Sequence, residues 1–137
     1  MIVADTNTIA YLLIAGERTL QARKVLKRDP EWAAPLLWRS EFRNVLALLL
    51  RKRLLSLRDA QRLMDEATSL MRNGEYEVAS SHVLDLVAKS ACTAYDCEFV
   101  ALAQDLEVPL VTVDRQIVTQ FPDTAISLDA FLASSEH

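Results

Sequence analysis

Short β-branched runs that stop at a carboxylate, separated by long helical stripes, constrain this chain more than any other feature of its sequence. Ile2-Val3-Ala4 ends at Asp5, and Leu110-Val111-Thr112-Val113 runs into Asp114. Between them, apolar residues recur at helical spacing: Phe42, Val45, Leu46, Leu49 and Leu50, then Ala60, Leu63, Met64, Ala67, Leu70 and Met71. Weaker strands are predicted at Trp32–Ala34, closed by Pro35, at Tyr76–Val78 and at Ala125–Ser127. Further helices are predicted over Thr8–Ile14, with Thr6 or Asn7 as cap, Leu20–Arg28, Val83–Lys89 and Tyr95–Leu106, with Asp129 capping a last one. Strands that alternate with helices need right-handed crossovers, which give an α/β fold with a parallel sheet covered on both faces. In such sheets ligands bind beyond the carboxyl ends of the strands, where Asp5 and Asp114 fall.

With 137 residues the chain suits one domain, residues 1–137, and offers no repeat or linker at which to divide it. Two glycines and four prolines argue against an all-β fold, and Gly74 is expected to end the helix before it. No apolar stretch approaches the roughly 20 residues that span a bilayer, and no basic region precedes Ile2 as in a signal peptide. Cys92 and Cys97 make neither a disulfide framework nor a zinc site, and read as small apolar residues. A cytoplasmic protein with no membrane partner is expected. Charge is lopsided: residues 1–72 hold 13 Lys/Arg against 8 Asp/Glu, net +5, and residues 73–137 hold 2 against 11, net −9. A basic footprint for nucleic acid therefore exists only in the first half, and the acidic half calls for cations or a basic partner.

Four carboxylates interrupt apolar surroundings: Asp5, Glu41, Asp96 and Asp114. Taken singly, Asp5 and Asp114 could be turn or cap residues, Glu41 could pair with Arg39 or Arg43, and Asp96 could face water. Taken together, four converging acids would repel one another and raise their own pKa values, and a hard divalent cation would relieve that strain. With no Cys or His companion the set suits Mg²⁺ or Mn²⁺ over Zn²⁺.

The segments around these acids resemble the motif blocks of PIN-domain nucleases. They are Ile-Val-Ala-Asp5-Thr6-Asn7, Ser40-Glu41-Phe42-Arg43-Asn44-Val45-Leu46, Ala94-Tyr95-Asp96-Cys97-Glu98-Phe99 and Leu110-Val111-Thr112-Val113-Asp114. Their order and spacing are similar to those of VapC-like toxins of toxin–antitoxin pairs, from Ile2 to about Phe131. The resemblance implies a three-layer α/β/α sandwich around a central parallel β-sheet. It also implies Mg²⁺- or Mn²⁺-dependent endoribonuclease activity on an RNA substrate, with an antitoxin protein or a second protomer as partner. By motif, Asp5, Glu41, Asp96 and Asp114 would be the catalytic and metal-binding acids, Asp5 and Asp96 foremost as direct ligands. Thr6 and Thr112 would orient them, and Asn44 could orient Glu41. Glu98 turns to another face of its helix and stays outside the site. The residue after Asp114 is Arg115, where some relatives carry a further acid. RNA phosphates are expected on the basic helical hairpin of Arg39, Arg43, Arg51, Lys52, Arg53, Arg58 and Arg62. The alternative is a PIN-like binding or regulatory module that keeps its acids without significant catalysis. A receiver or dehalogenase-type phosphotransfer domain fits poorly, since Asp5 is followed by Thr6-Asn7-Thr8.

Overall fold

The computed structural model describes residues 1–134. Five strands, β1 (Ile2–Ala4), β2 (Trp32–Pro35), β3 (Glu75–Tyr76), β4 (Leu110–Val111) and β5 (Ala125–Ile126), form one parallel sheet in the order β3-β2-β1-β4-β5. Every residue of β1, β2 and β4 is buried, as expected of strands covered on both faces. The chain first walks from β1 outward to β3, through α1 (Thr6–Leu13), α2 (Thr19–Arg28), α3 (Leu37–Arg51) and α4 (Leu57–Leu70). It then crosses back through α5 (Ser80–Ala88) and α6 (Ala94–Leu106) to β4, and reaches β5 through α7 (Arg115–Gln120). Right-handed crossovers in opposite directions put the two helix sets on opposite faces, which makes the three layers. Accordingly α6 packs on β1, β2 and β4 with α5 behind it, while α1 packs on α2, α3 and α4, and α8 (Leu128–Ala133) closes on α2. The reversal of direction falls between β1 and β4. It opens a crevice at their carboxyl ends.

Several boundaries differ from the sequence expectation, each for a local reason. Asp5, not Thr6 or Asn7, caps α1, because its side chain accepts from the Thr8 amide at 2.9 Å. Pro35 lies inside β2: its neighbour there is β3, and the β2–β3 bonds use the amides of Ala34 and Leu36. Strand β3 is Glu75–Tyr76, and α5 begins at Ser80. Helix α7 was not anticipated. It forms because Asp114 accepts the amides of Gln116 and Ile117. The last helix is capped by Ser127, not Asp129. Helix α4 is released by Asn73, which takes the left-handed conformation (φ 70°) expected of glycine. Gly74 serves a different need: it passes directly beneath the Trp32 carbonyl as β3 enters the sheet.

The buried core runs through the sheet and both helix layers, with Trp38, Phe42, Val3, Val100 and Val111 fully inside. Cys92 and Cys97 are buried free thiols. They occupy the positions before the Thr93 cap and in the first full turn of α6, where a pair of apolar side chains fixes the entry angle of a helix.

Candidate active site

The site is built on the ends of four elements. Asp5 follows β1, Asp114 follows β4 at the start of α7, Glu41 lies on the second turn of α3 and Asp96 on the first turn of α6. All four line a single cavity of about 420 Å³ at the crevice between β1 and β4. The parallel register pairs Val3 with Leu110 and Ala4 with Val111, so Asp5 and Thr112 are the next residues on adjacent strands. The Thr112 hydroxyl donates to Asp5 Oδ2 and accepts the Asp114 amide at 3.0 Å. One hydroxyl thus ties the two strand-end acids together.

Asp5 is buried and accepts two further bonds at Oδ1, from the Thr8 amide and from the Thr8 hydroxyl at 2.7 Å. Desolvation raises its pKa against the pull of the Thr112 and Thr8 hydrogen bonds, and the charge of Asp114 raises it further. Glu41 is half-buried, and its Oε1 accepts from the Thr6 hydroxyl at 2.7 Å. Burial raises its pKa first; Asp96, Asp5 and Glu98 add to the rise by repulsion. Asp96 is raised by burial and then by Asp114. Thr93 caps the Asp96 amide at 3.1 Å, but no side-chain donor reaches the Asp96 carboxylate among the described residues. Glu98 lies off the cavity lining, as its helical spacing predicts, yet its charge is felt at Glu41.

The first turn of α3 has no side-chain cap of its own, since Leu36 occupies that position. Glu75, at the sheet edge, anchors it instead. Its carboxylate accepts from Trp38 Nε1 at 2.8 Å and takes a bidentate pair from Arg39, with Nε at 2.5 Å and Nη2 at 2.6 Å. The Arg39 guanidinium holds the Glu75 pKa below its ordinary value. Arg39 is therefore a structural ion-pair partner, with Nε and Nη2 committed to Glu75. Arg62 lies within reach of Asp59 and Glu66, whereas Arg51, Lys52, Arg53 and Arg58 have no such pairing among the described residues. Asn44 lies on the cavity wall one helical turn beyond Glu41, but Thr6, not Asn44, is hydrogen-bonded to Glu41.

Among the described residues, no three acid, His or Cys side chains stand together as a ready-made metal cage. Mg²⁺ does not require one, since it keeps waters and takes one or two carboxylates alongside substrate phosphates. Donor chemistry fits such an ion. Both Asp96 oxygens, Glu41 Oε2 and Asp114 Oδ2 have no protein donor among the described residues, and Asp5 Oδ2 has one. Carboxylates whose charged forms are disfavoured by burial and by each other gain most from a cation.

Sequence reasoning misses two residues, one that holds Asp5 from behind and one that lines the cavity. Thr8 was read only as the start of α1, although an Asp–Thr–Asn–Thr order puts a hydroxyl at the third helical position, facing the cap. Tyr95 was read as the beginning of a helix, and nothing in its neighbours signals that it lines the cavity wall.

A family model of the PIN domain matches residues 2–125 of the chain. Ribonuclease VapC3 of Pyrobaculum aerophilum is 29% identical over 124 residues, which cover 88% of this chain and 95% of that protein. The fold is similar to the crystal structure of PAE2754 from Pyrobaculum aerophilum, with a TM-score of 0.75 at 21% identity over 96% of this chain and 85% of the other. A toxin–antitoxin complex from Klebsiella pneumoniae contains a chain with a TM-score of 0.69 at 20% identity, covering 93% of this chain and 98% of that one.

Proposed function

The chain belongs to the PIN-domain family, and from that premise we propose that it is a Mg²⁺- or Mn²⁺-dependent endoribonuclease, the toxin of a toxin–antitoxin pair. The observation that carries this reading is the gathering of Asp5, Glu41, Asp96 and Asp114, from four separate elements, around one crevice. Asp5 and Asp114 cap helices, but capping gives no reason to bring Glu41 and Asp96 beside them with their charged forms disfavoured. Two similarities support the substrate class and the partner: one similar protein is named a ribonuclease, and one chain of similar fold sits in a toxin–antitoxin complex. An antitoxin and a second protomer are the protein partners we assign. Residues 1–137 would act as one domain in the cytoplasm, and among the described residues no helix is long and apolar enough to cross a membrane.

Asp96 and Asp5 would hold the metal, with Glu41 and Asp114 completing the oxygen set. When bound, a divalent ion would supply charge neutralisation at the scissile phosphate and a water more readily deprotonated to the attacking hydroxide. The chain's own residues prepare the rest. Thr112 fixes the Asp5 carboxylate relative to Asp114, and Thr6 orients Glu41. Glu75 and Arg39 hold α3 so that Glu41 reaches the crevice. The test is cleavage of a fluorescent single-stranded RNA by the purified protein. Activity is expected with Mn²⁺ or Mg²⁺ and loss in EDTA. Absence of metal-dependent cleavage would favour the regulatory-module alternative.

Electrostatics add a second expectation. Arg51, Lys52 and Arg53 lie at the tip of the α3–α4 hairpin, ten residues beyond Glu41 and thus ~15 Å along the helix axis. They are exposed and would guide RNA phosphates towards an acidic pocket that by itself repels them. Reversing all three to Glu should weaken RNA binding across sequences. The slope of log affinity against log salt should flatten by about 2, at roughly 0.7 per lost contact on a single strand. RNA affinity measured over a salt series checks this, and an unchanged slope would assign the hairpin to a protein partner instead.

A further inference from the structure

Resting on the nuclease reading above, we propose that Tyr95 is a stacking platform for an RNA base beside the scissile phosphate, with the Asn44 amide facing the base edge. Tyr95 is 62% exposed although it lines the cavity. It shares the first turn of α6 with Asp96, and both side chains line the cavity whose carboxylates are assigned to phosphate chemistry. Its faces are unused. Among the described residues no other ring or cation stacks on Tyr95, whereas Tyr11 is covered by Arg18 and Trp38 packs against Phe42.

The cavity is also the wrong shape and composition for a metal and a phosphate alone. Leu37, Val45, Phe99 and Ile117 add apolar lining to the acids. Oxygen ligands and waters gain nothing from such lining, but a planar base does. A volume of about 420 Å³ lies within the range of ~300–1,000 Å³ that takes small organic ligands. Asn44 shares this lining, is exposed, and makes no side-chain hydrogen bond among the described residues. An amide carries both donor and acceptor and can meet the edge of an unpaired base.

Charge explains why such a contact is needed. Without a bound cation the acidic crevice repels the RNA backbone, so affinity at the metal-free site must come from an uncharged interaction. Base–aromatic stacking is one, and it tolerates any sequence because every base has a π-face. Single-stranded RNA is the form that can offer an unstacked base to a side chain. A duplex keeps its bases inside and would leave Tyr95 uncovered.

The experiment uses short single-stranded RNAs in which 2-aminopurine replaces one nucleotide at a time, bound to the intact protein in EDTA. At one position the wild type and Tyr95→Phe are expected to quench the probe, and Tyr95→Ala is expected not to. The Tyr95→Ala affinity should fall by roughly 5- to 150-fold, the range alanine substitution gives for one stacked base. An abasic nucleotide at the same position should weaken the wild type by a similar factor and leave Tyr95→Ala nearly unchanged, because the two losses are one contact. Equal affinity and equal quenching in wild type and Tyr95→Ala would overturn the proposal. Cleavage measured in parallel separates the two readings. Quenching without metal-dependent cleavage overturns the nuclease and keeps the stacking platform, and cleavage without quenching does the reverse.

Discussion

Asp96→Asn is expected to abolish metal-dependent RNA cleavage while raising the melting temperature of the metal-free protein at neutral pH. The activity loss should be at least ~10²-fold, since removing even an outer partner of a metal site costs 10- to 100-fold. The stability gain follows from what surrounds the carboxylate. Burial and Asp114 both raise the Asp96 pKa, and Asp96 adds in turn to the repulsion at Glu41. A carboxyl whose pKa is higher folded than unfolded binds its proton more tightly in the native state. Its charge therefore weakens the fold at any pH above the folded pKa, and that penalty fades as pH falls towards the unfolded value of ~3.9. The Asn variant should gain most at neutral pH and lose its advantage on acidification. No protein hydrogen bond to the Asp96 carboxylate has to be remade among the described residues. Thermal melts from neutral to acid pH, in EDTA and in Mn²⁺, check this. Added Mn²⁺ should stabilise the wild type and have little effect on Asp96→Asn. A clear fall in melting temperature for the variant in EDTA would show that Asp96 is structural.

Asp5 is a less clean test of the same idea. Its carboxylate accepts three protein donors and caps α1, so Asp5→Asn both removes a strained charge and forces the Thr112 hydroxyl to exchange roles. Its activity should fall as far as that of Asp96→Asn, with a smaller gain in stability.

The second large effect is expected at Gly74. A Cβ built there would lie 2.2 Å from the Trp32 carbonyl oxygen and 3.3 Å from its carbon. These are backbone atoms of a buried central strand, which cannot swing aside as a side chain would. Gly74 also bonds the Met71 carbonyl through its amide and accepts the Ala34 amide, both at 2.9 Å, so moving it breaks the entry of β3 into the sheet. Gly74→Ala should cost about 3 kcal/mol, the upper part of the range for overpacking. At ~4 °C per kcal/mol for a domain of this size, the melting temperature should fall by about 12 °C. Gly16→Ala is the matched control, because there the added carbon meets nothing nearer than 3.9 Å. Urea unfolding of the two variants decides it, and equal midpoints would mean that β3 can shift without loss. Glu41 should suffer indirectly in Gly74→Ala, since Glu75 next in sequence anchors the first turns of α3 through Arg39 and Trp38.

Where the sequence was legible, the cause was local. The stripes on α3 and α4 are visible because an amphipathic helix writes its period into its own residues. The Ser56 cap, bonded to the Asp59 amide three residues on, is local in the same way. The β1 and β4 runs, buried on both faces, show as unbroken apolar segments. Elements whose partners are remote were read less well. Helix α7 has six residues and no apolar period long enough to see, and Pro35 looked like a strand end because its edge neighbour was unknown.

The sequence by itself determined that strands and helices alternate, that two strands run towards acids, and that four carboxylates interrupt apolar surroundings. Those are properties of neighbours along the chain. Only the tertiary structure decided that β4 lies beside β1 and not beyond β3, and this one adjacency turns scattered acids into a site. It sets Thr112 against Asp5 across 107 residues, while the packing of α1 on α3 brings Thr6 to Glu41 across 35. The physical reason is that strand order is set by which apolar faces the crossing helices must cover together. That sum over the whole core is not carried by any one segment.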